Sequence, residues 1–152
     1  MSRAAATGIG VIEILIAVVL MGVMIVLLLP TLERYQKVRD LRHASRQLLA
    51  DVRLTQQHAI TLDENVRLLY TGGAPGSYTV EKVSDGSDLK HVALPASVTV
   101  GGSFAATALQ FSATGAPAAP GEFCLTEGTQ TFRLDVAAAT GRAQLSEVTT
   151  CP

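Results

Sequence analysis

The sequence predicts an α+β fold in which a long N-terminal hydrophobic helix, transmembrane in its first half and amphipathic in its second, packs on an antiparallel β-sheet head. Three observations support this prediction. An apolar run with one charge occupies residues 9–29, helical spacing of apolar residues continues to about residue 60, and short β-type segments follow. After the apolar run is set aside, the 152-residue chain has room for one small head domain.

The apolar run extends from Ile9 to Leu29 and contains one charged side chain, Glu13. As a helix it would be roughly 32 Å long, which matches the hydrocarbon thickness of a bilayer. A secretory signal peptide has a shorter apolar core and a small-residue cleavage site, whereas this run ends at Pro30 before a charged segment. A plain membrane anchor explains the length but not Glu13, because a lone carboxylate in hydrocarbon costs on the order of a few kcal/mol.

Residues 31–61 predict an amphipathic helix. Apolar or small residues recur there at steps of three or four, at Tyr35, Val38, Leu41, Ser45, Leu48, Val52, Thr55 and Ala59. We expect this face to pack on the sheet. The opposite face carries Arg39, Arg42, Arg46 and Arg53, which are explained either as a solvated helix face or as a dedicated binding patch.

Residues 62–152 predict the β-rich head, because eight short segments alternate in polarity and favour β-branched residues. These are Asn65–Thr71, Ser77–Val83, Leu89–Leu94, Ser97–Val100, Ala108–Ser112, Glu122–Thr126, Thr131–Val136 and Arg142–Val148. The residues between them are rich in Gly, Pro and Asp, which is typical of turns. We expect residues 113–121 to form a long mobile loop.

The two cysteines, Cys124 and Cys151, both lie in the C-terminal third. They are explained either as two unrelated buried thiols or as a disulfide that holds the last strand. A thiol one residue from the C-terminus is hard to bury, which favours the disulfide. In an oxidising compartment such a loop closure stabilises a small domain by about 2 to 4 kcal/mol.

No set of residues indicates an enzyme, a cofactor or a metal site. The three histidines, His43, His58 and His91, have no metal-binding spacing, and the sequence contains neither a nucleophile motif nor a phosphate-binding glycine loop. Asp85 and Asp88 flank Gly86, but this loop has too few ligands for calcium and is explained by a hairpin turn.

The N-terminus resembles the class III signal of type IV prepilins: Gly8 is followed by Ile9, Gly10, Val11, Ile12 and Glu13, then by an apolar stretch with Pro30 at its end. The resemblance implies that residues 1–8 are a leader, that prepilin peptidase cuts between Gly8 and Ile9, and that Ile9 is N-methylated. It also implies that Glu13 and Pro30 act in assembly and register. A new ammonium at Ile9 can neutralise the Glu13 carboxylate in its own chain or in a neighbour. The usual first residues are Phe and Thr, where this chain has Ile9 and Gly10.

The head resembles the GspH/FimT group of minor pilins and pseudopilins. The matching segments are Leu48–Leu68, Leu109–Gly115 and Val136–Arg142, with Cys124 and Cys151. The resemblance implies a structural subunit of a type IV pilus or of a type II secretion pseudopilus. It would cross the inner membrane once, with its head in the periplasm or outside. Its partners would be other pilins or pseudopilins, prepilin peptidase and inner-membrane lipid.

The positive-inside rule alone opposes this topology, because the flank after the apolar run is more basic than the leader. Between residues 31 and 59 the chain has six basic and three acidic side chains, and between 60 and 152 it has five basic and nine acidic. The cysteine pair and the prepilin-like signal both favour export, so we expect an exported head.

The alternative function is DNA binding during natural transformation. Some FimT-like proteins bind DNA through a basic C-terminal motif that begins with Gly-Arg. Gly141 and Arg142 match that motif, but Ala143, Gln144 and Leu145 follow in place of further basic residues. The resemblance implies DNA as a second candidate partner. Two features of the sequence oppose it, because phosphate binding depends on several clustered cations and residues 60–152 carry more acidic than basic side chains.

Overall fold

The computed structural model describes residues 10–151, and for residues 26–34 it describes the backbone only. The leader, residues 1–8, and Ile9 lie outside this part. The chain divides into two compact units, Met1–Gln36 and Lys37–Pro152. Helix α1 (Val11–Leu62) is assigned as one continuous element of 52 residues that includes position 30.

In the first unit most of the described side chains of α1 are apolar, and all of them are exposed. They include Val11, which is 77% exposed, and Ile12, which is 72% exposed. Among the residues with described side chains, no helical segment is both long and apolar enough to cross a membrane.

In the second unit one face of α1 is buried. Leu41, Leu48, Val52 and Ala59 are fully inaccessible to solvent. The expected packing face included Tyr35, and this is wrong, because Tyr35 is 65% exposed and buried packing begins at Leu41. Two buried hydroxyls on this face, at Ser45 and Thr55, donate to the carbonyl oxygens four residues earlier in the helix, each at 2.7 Å.

All eight predicted strands are present, with ends that differ by at most two residues. They are β1 (Val66–Thr71), β2 (Ser77–Lys82), β3 (Asp88–Ala93), β4 (Thr99–Gly102), β5 (Ala108–Phe111), β6 (Gly121–Glu127), β7 (Gln130–Val136) and β8 (Ala143–Val148). A short 3₁₀ helix, Ala105–Thr107, precedes β5. The local alternation of apolar residues therefore predicted the elements correctly.

The strands form two four-stranded antiparallel sheets, where the sequence had indicated one. Sheet A has the order β3-β2-β1-β5 and sheet B the order β4-β6-β7-β8. Aromatic side chains join the two sheets in one core. Tyr70 of sheet A meets Phe123 of sheet B edge to face, with ring centroids 5.4 Å apart, and Phe104 packs on the same ring at 4.6 Å.

The expectation of a long mobile loop at 113–121 is wrong for its first half. Gly115 N–H donates to Ser112 O at 2.8 Å, and Ser112 N–H donates to Ala116 O at 2.9 Å. Ala118 N–H then donates to Gln110 O at 2.8 Å, and Pro117 forms a bridge with Phe111. This half of the segment is a tight hydrogen-bonded turn, because the backbone groups that would otherwise lack partners bond to one another.

Candidate functional site

The predicted N-terminal site is described only in part. Gly8 and Ile9, the predicted cleavage and methylation residues, lie outside the described residues. Glu13 lies in the first turn of α1, where its N–H donates to Gly10 O at 2.9 Å. Pro30 lies within α1, and its side chain is outside the description. An acidic side chain in a first helical turn is favoured by the helix dipole, so Glu13 is compatible with the helix start.

The expected disulfide joins Cys124 on β6 to Cys151, with the two Cα atoms 6.3 Å apart. Cys124 belongs to the face of sheet B that points away from the core, since Phe123 and Leu125 on either side are fully buried. The bond therefore holds the residues after β8 against the outer face of the sheet.

A buried carboxylate connects α1 to sheet A. Asp51 is 3% exposed and accepts hydrogen bonds from Tyr78 Oη at 2.7 Å and from Lys90 Nζ at 2.6 Å. Burial raises the pKa of the Tyr78 phenol, and the Asp51 carboxylate raises this pKa further. Tyr78 thus stays neutral and donates a hydrogen bond to Asp51. The bonds of Asp51 to Tyr78 on β2 and to Lys90 on β3 position the helix on these two strands.

A second polar contact connects α1 to two turns. Gln56 Nε2 donates to Gly115 O at 2.7 Å and to Thr140 O at 3.1 Å. Each turn contains the tripeptide Ala-Thr-Gly, at 113–115 and at 139–141. Both glycines have positive φ, 79° at Gly115 and 64° at Gly141, and a Cβ at Gly141 would lie 2.7 Å from Gln56 Nε2. The two repeated tripeptides therefore meet at one helix side chain.

Arg142, the predicted DNA contact, follows the second of these turns. Its side chain is exposed, and its N–H donates to Thr140 Oγ1 at 3.3 Å. Arg142 lines a surface depression of about 370 Å³ together with Arg53, Gln56 and Gln57 of α1. The structure brings two arginines that are 89 positions apart in the chain to one depression.

Carboxylates lie on the other side of Arg142. A neighbouring depression of about 490 Å³ is lined by Arg142, Glu122 and Asp135. Arg133 Nε lies 3.6 Å from Glu122 and 3.3 Å from Asp135, so these two carboxylates form an ion-pair cluster with Arg133. Arg142 is therefore placed between a cationic and an acidic surface.

The four helix arginines, Arg39, Arg42, Arg46 and Arg53, are all exposed. They form no ion pair among the residues that the structure describes. Within the same residues no group of His, Cys, Asp and Glu could hold a metal ion. The arginine face is thus a cationic surface that remains available to a partner.

The turn at residues 83–87 is a hairpin connection, as expected. Lys82 N–H donates to Ser87 O at 3.0 Å, and Gly86 N–H donates to Lys82 O at 3.1 Å. Asp85 Oδ1 accepts hydrogen bonds from the Ser87 N–H at 2.9 Å and from the Ser87 hydroxyl at 2.7 Å. These bonds hold the pKa of the exposed Asp85 carboxyl below its usual value. The carboxylate thus stabilises a turn.

Sequence analysis missed Asp51 and Gln56. Asp51 had a detectable signal, because a carboxylate between Leu48 and Val52 falls on the apolar face of the helix and such a group requires a partner. The signal for Gln56 was weaker and lay outside the helix, in the repeated Ala-Thr-Gly tripeptides.

The sequence matches one protein-family model, and the fold is similar to solved structures. A family model described as type II transport protein GspH matches residues 44–141, which include Gln56, Gly115 and Gly141. No curated protein gives a significant match to the sequence. The fold is similar to that of the type IV minor pilin FimU of Pseudomonas aeruginosa, with a TM-score of 0.62 and 18% identity, covering 74% of this chain and 92% of that chain.

The fold is also similar to that of the minor pseudopilin EpsH from the type 2 secretion system of Vibrio cholerae. The TM-score is 0.51 and the identity 9%, with 72% of this chain and 97% of that chain covered. At such identities the similarity shows a shared fold, a long N-terminal helix with antiparallel sheets.

Proposed function

The chain belongs to the GspH family of type II transport proteins, and on this premise we propose that it acts as a minor pilin or pseudopilin. It would be a structural, non-catalytic subunit of a type IV pilus or of a type II secretion pseudopilus. The observation that supports this most directly is the continuity of α1, which passes from an exposed and mostly apolar stretch, residues 11–25, to a buried face that begins at Leu41.

The exposed apolar side chains of α1 require a covering partner. Val11, Ile12, Leu15, Val19 and Met24 are each at least 60% exposed. A helix that is hydrophobic on all sides is stable in a membrane or among other helices. We propose that residues 9–30 lie in the inner membrane before assembly and pack against the helices of neighbouring pilins or pseudopilins in the filament. The head would lie in the periplasm or outside.

Processing would prepare this helix for assembly. Prepilin peptidase would remove residues 1–8, cutting between Gly8 and Ile9, and Ile9 would be N-methylated. Glu13 would then pair with the ammonium of Ile9 in its own chain or in the neighbour, and this pair would set the register between helices. Pro30 removes one helical hydrogen bond at the end of the apolar run.

The Glu13→Ala variant tests the assembly role. We expect it to be cleaved and inserted in the membrane but to be lost from sheared filaments, because the buried ammonium of the neighbour has no partner. Glu33→Ala, which removes an acid outside the apolar run, serves as the control and should enter filaments normally. Normal incorporation of Glu13→Ala would contradict the proposed assembly mechanism.

Intact-mass measurement of the membrane-extracted protein tests the processing. The expected mass corresponds to a chain that begins at Ile9 and carries one methyl group, in cells with active prepilin peptidase. A Gly8→Phe variant provides the uncleaved reference. If residues 1–8 remain attached in the wild-type protein, the ammonium at Ile9 does not form and the protein is a simple tethered domain.

DNA is the second candidate partner, and one observation favours it. Arg53 and Arg142 line the same depression, so the Gly141–Arg142 motif has a second cation beside it. Glu122 and Asp135 next to Arg142 oppose phosphate binding. Gel shifts with the detergent-solubilised full chain at low salt test this function. A shift that disappears in the Arg53→Ala/Arg142→Ala variant would support DNA binding. The absence of any shift with the wild-type chain would exclude DNA as a partner.

A further inference from the structure

The second half of α1 carries its arginines on the side opposite the core. At about 100° per residue, Arg39, Arg42, Arg46 and Arg53 fall within a sector of roughly 60°, centred about 150° from the buried face. We call these four residues the basic stripe. They are exposed and form no ion pair among the residues that the structure describes. The stripe therefore presents positive charge to solvent over a length of about 21 Å.

Part of the stripe surrounds a surface depression with a volume of about 720 Å³. The depression is lined by Arg39, Asp40, Arg42, His43, Arg46 and Gln47. Its lining carries net positive charge, because three arginines outnumber the single carboxylate, that of Asp40. A guanidinium group donates two parallel hydrogen bonds to a phosphate group. The chemistry of this surface is therefore suited to anionic phosphate groups.

The chain connects the stripe to the apolar run by a short segment. Arg39 follows Leu29, the last residue of the run, by ten positions. Ten residues span about 15 Å as a helix and at most about 35 Å when fully extended. With residues 9–30 in the inner membrane, as the proposed function requires, the stripe begins within reach of the lipid headgroups. The covalent connection also raises the effective concentration of headgroups at the stripe.

An export topology does not by itself explain the charge of this segment. Residues 31–59 contain six basic and three acidic side chains, and the positive-inside rule disfavours the export of such a flank. Attraction to anionic headgroups gives the basic side chains a role on the exported side. Tyr35 lies six positions after Leu29 and is 65% exposed. Its place in the chain fits a membrane–water interface, where tyrosine rings are enriched at the level of the headgroups.

We propose that the basic stripe binds the phosphate groups of anionic phospholipids at the exported surface of the inner membrane. The inference rests on the proposed function, because it requires the first half of α1 to be anchored in that membrane. Each arginine near an anionic surface strengthens the attraction, so four on one side of a helix act together. A nucleic acid offers the same phosphate chemistry, and an exposed tyrosine also stacks on bases. The lipid is favoured because the chain itself holds the stripe near it, whereas a nucleic acid would have to be captured from solution.

The Ala50→Trp variant tests the contact. The chain contains no tryptophan, and Ala50 is exposed on the same side of the helix as Arg46 and Arg53. The full chain is reconstituted in phosphatidylcholine vesicles, with or without phosphatidylglycerol, that contain a lipid with a nitroxide on its headgroup. Quenching of the indole fluorescence should be stronger in the vesicles with phosphatidylglycerol, and this excess should disappear at high salt. Equal quenching in both kinds of vesicle would overturn the proposal.

Two further substitutions, each added to Ala50→Trp, separate binding by the stripe from a general attraction of basic residues to the membrane. Arg46→Gln removes one cation of the stripe and should lower the ratio of lipid-bound to free stripe about fivefold. Lys37→Gln is the matched control, because Lys37 is exposed on the same helix, about 180° around it from Arg46. It lies closer to the apolar run along the chain and removes the same charge, yet the excess quenching should remain. Equal losses in the two variants would overturn the proposal.

Duplex DNA, added to the phosphatidylcholine vesicles, tests the competing partner. Under the proposal, the indole emission responds to phosphatidylglycerol in the bilayer. A response to DNA without any excess quenching by phosphatidylglycerol would assign the stripe to nucleic acid and would overturn the proposal.

Flotation of the same vesicles in a density gradient distinguishes failure of this inference from failure of the proposed function. If the full chain floats with both kinds of vesicle but shows no excess quenching, the membrane anchor stands and the stripe does not bind anionic lipid. If the chain floats with neither kind, the apolar run does not insert, and the membrane-anchored state that the proposed function requires is wrong together with this inference.

Discussion

The two halves of α1 differ in how their apolar side chains are covered. Residues 11–25 expose nearly all of theirs, whereas residues 41–59 bury one face in the core of the head, with Leu48 and Val52 fully inaccessible. The second half also carries polar contacts to distant strands and turns, through Asp51 and Gln56. The difference indicates that the head buries a core of its own, while the described side chains of the first half are left uncovered within this chain. Changes in the first half should therefore affect assembly, and changes in the second should affect stability.

We expect the largest difference between the two halves of α1 and the head from a pair of large-to-small substitutions. Phe123→Ala removes the ring that joins both sheets, and we expect it to lower the free energy of unfolding of the head by about 3 to 5 kcal/mol. Ile16→Ala, in the exposed first half, should change it by less than about 0.5 kcal/mol. Pulse proteolysis in urea of the detergent-solubilised full chain measures both. Equal losses in the two variants would show that the halves do not behave separately.

A buried carboxylate provides the second test. Asp51→Ala leaves the Tyr78 hydroxyl without its acceptor and removes the partner of Lys90, so we expect a loss of about 2 to 3 kcal/mol. The half-exposed Lys90 ammonium can turn to water, which limits its share of the loss. The control is Asp40→Ala, which removes an exposed acid from the same helix and should cost less than about 0.5 kcal/mol. If the two variants unfold at the same urea concentration, Asp51 does not anchor the helix.

These residues also show how far the sequence predicts the molecule. The eight strands were predicted because alternation is a local property, and the disulfide because a terminal thiol is hard to bury. The division into two sheets was not predicted, because the pairing of Val100 with Leu125 and of Leu68 with Leu109 joins strands that are far apart in the chain. Turn composition contains no information on which distant strand becomes the neighbour.

In the candidate site, too, local patterns were predictable and contacts between distant residues were not. Gly8, Ile9, Glu13 and Pro30 were assigned roles through a resemblance, and these roles stay predictions. The juxtaposition of Arg53 and Arg142 depends on the packed head and has no local pattern. The contact of Gln56 with both Ala-Thr-Gly turns also depends on the packed head, and the repeated tripeptides do not indicate which helix side chain binds them. Asp51 is the exception, since a charge on an apolar helix face indicates a buried partner even without the structure.

The buried phenol of Tyr78 makes the stability of the head depend on pH. The pKa of Tyr78 is raised in the folded head by burial and by Asp51, relative to 10.0 for a free tyrosine. The stabilisation is fully present below pH 10 and decreases as the pH rises above it, because the unfolded chain then releases a proton that folded Tyr78 retains. We expect a loss of about 1.4 kcal/mol per pH unit from this group. Unfolding measured from pH 9 to 11 tests this.

Two phenylalanine variants identify the group that titrates. Tyr78→Phe should reduce the alkaline loss of stability, and Tyr35→Phe, which changes an exposed tyrosine, should retain it. An alkaline loss of the same size in Tyr78→Phe and in the wild type would assign the titration to another group.

The smallest expected effect concerns Gln56, which has a matched control beside it. Gln56→Ala removes the donor to Gly115 O and Thr140 O and should cost about 1 kcal/mol, while Gln57→Ala, at an exposed neighbour of the same type, should cost almost nothing. The loss should be local, because both hydrogen bonds of this amide go to the two turns. Hydrogen exchange should therefore speed up in residues 112–118 and 137–142 and stay unchanged in β6 and β7. Uniform faster exchange across both sheets would mean that Gln56 supports the whole head, and unchanged exchange in the two turns would mean that they hold their positive-φ glycines without it.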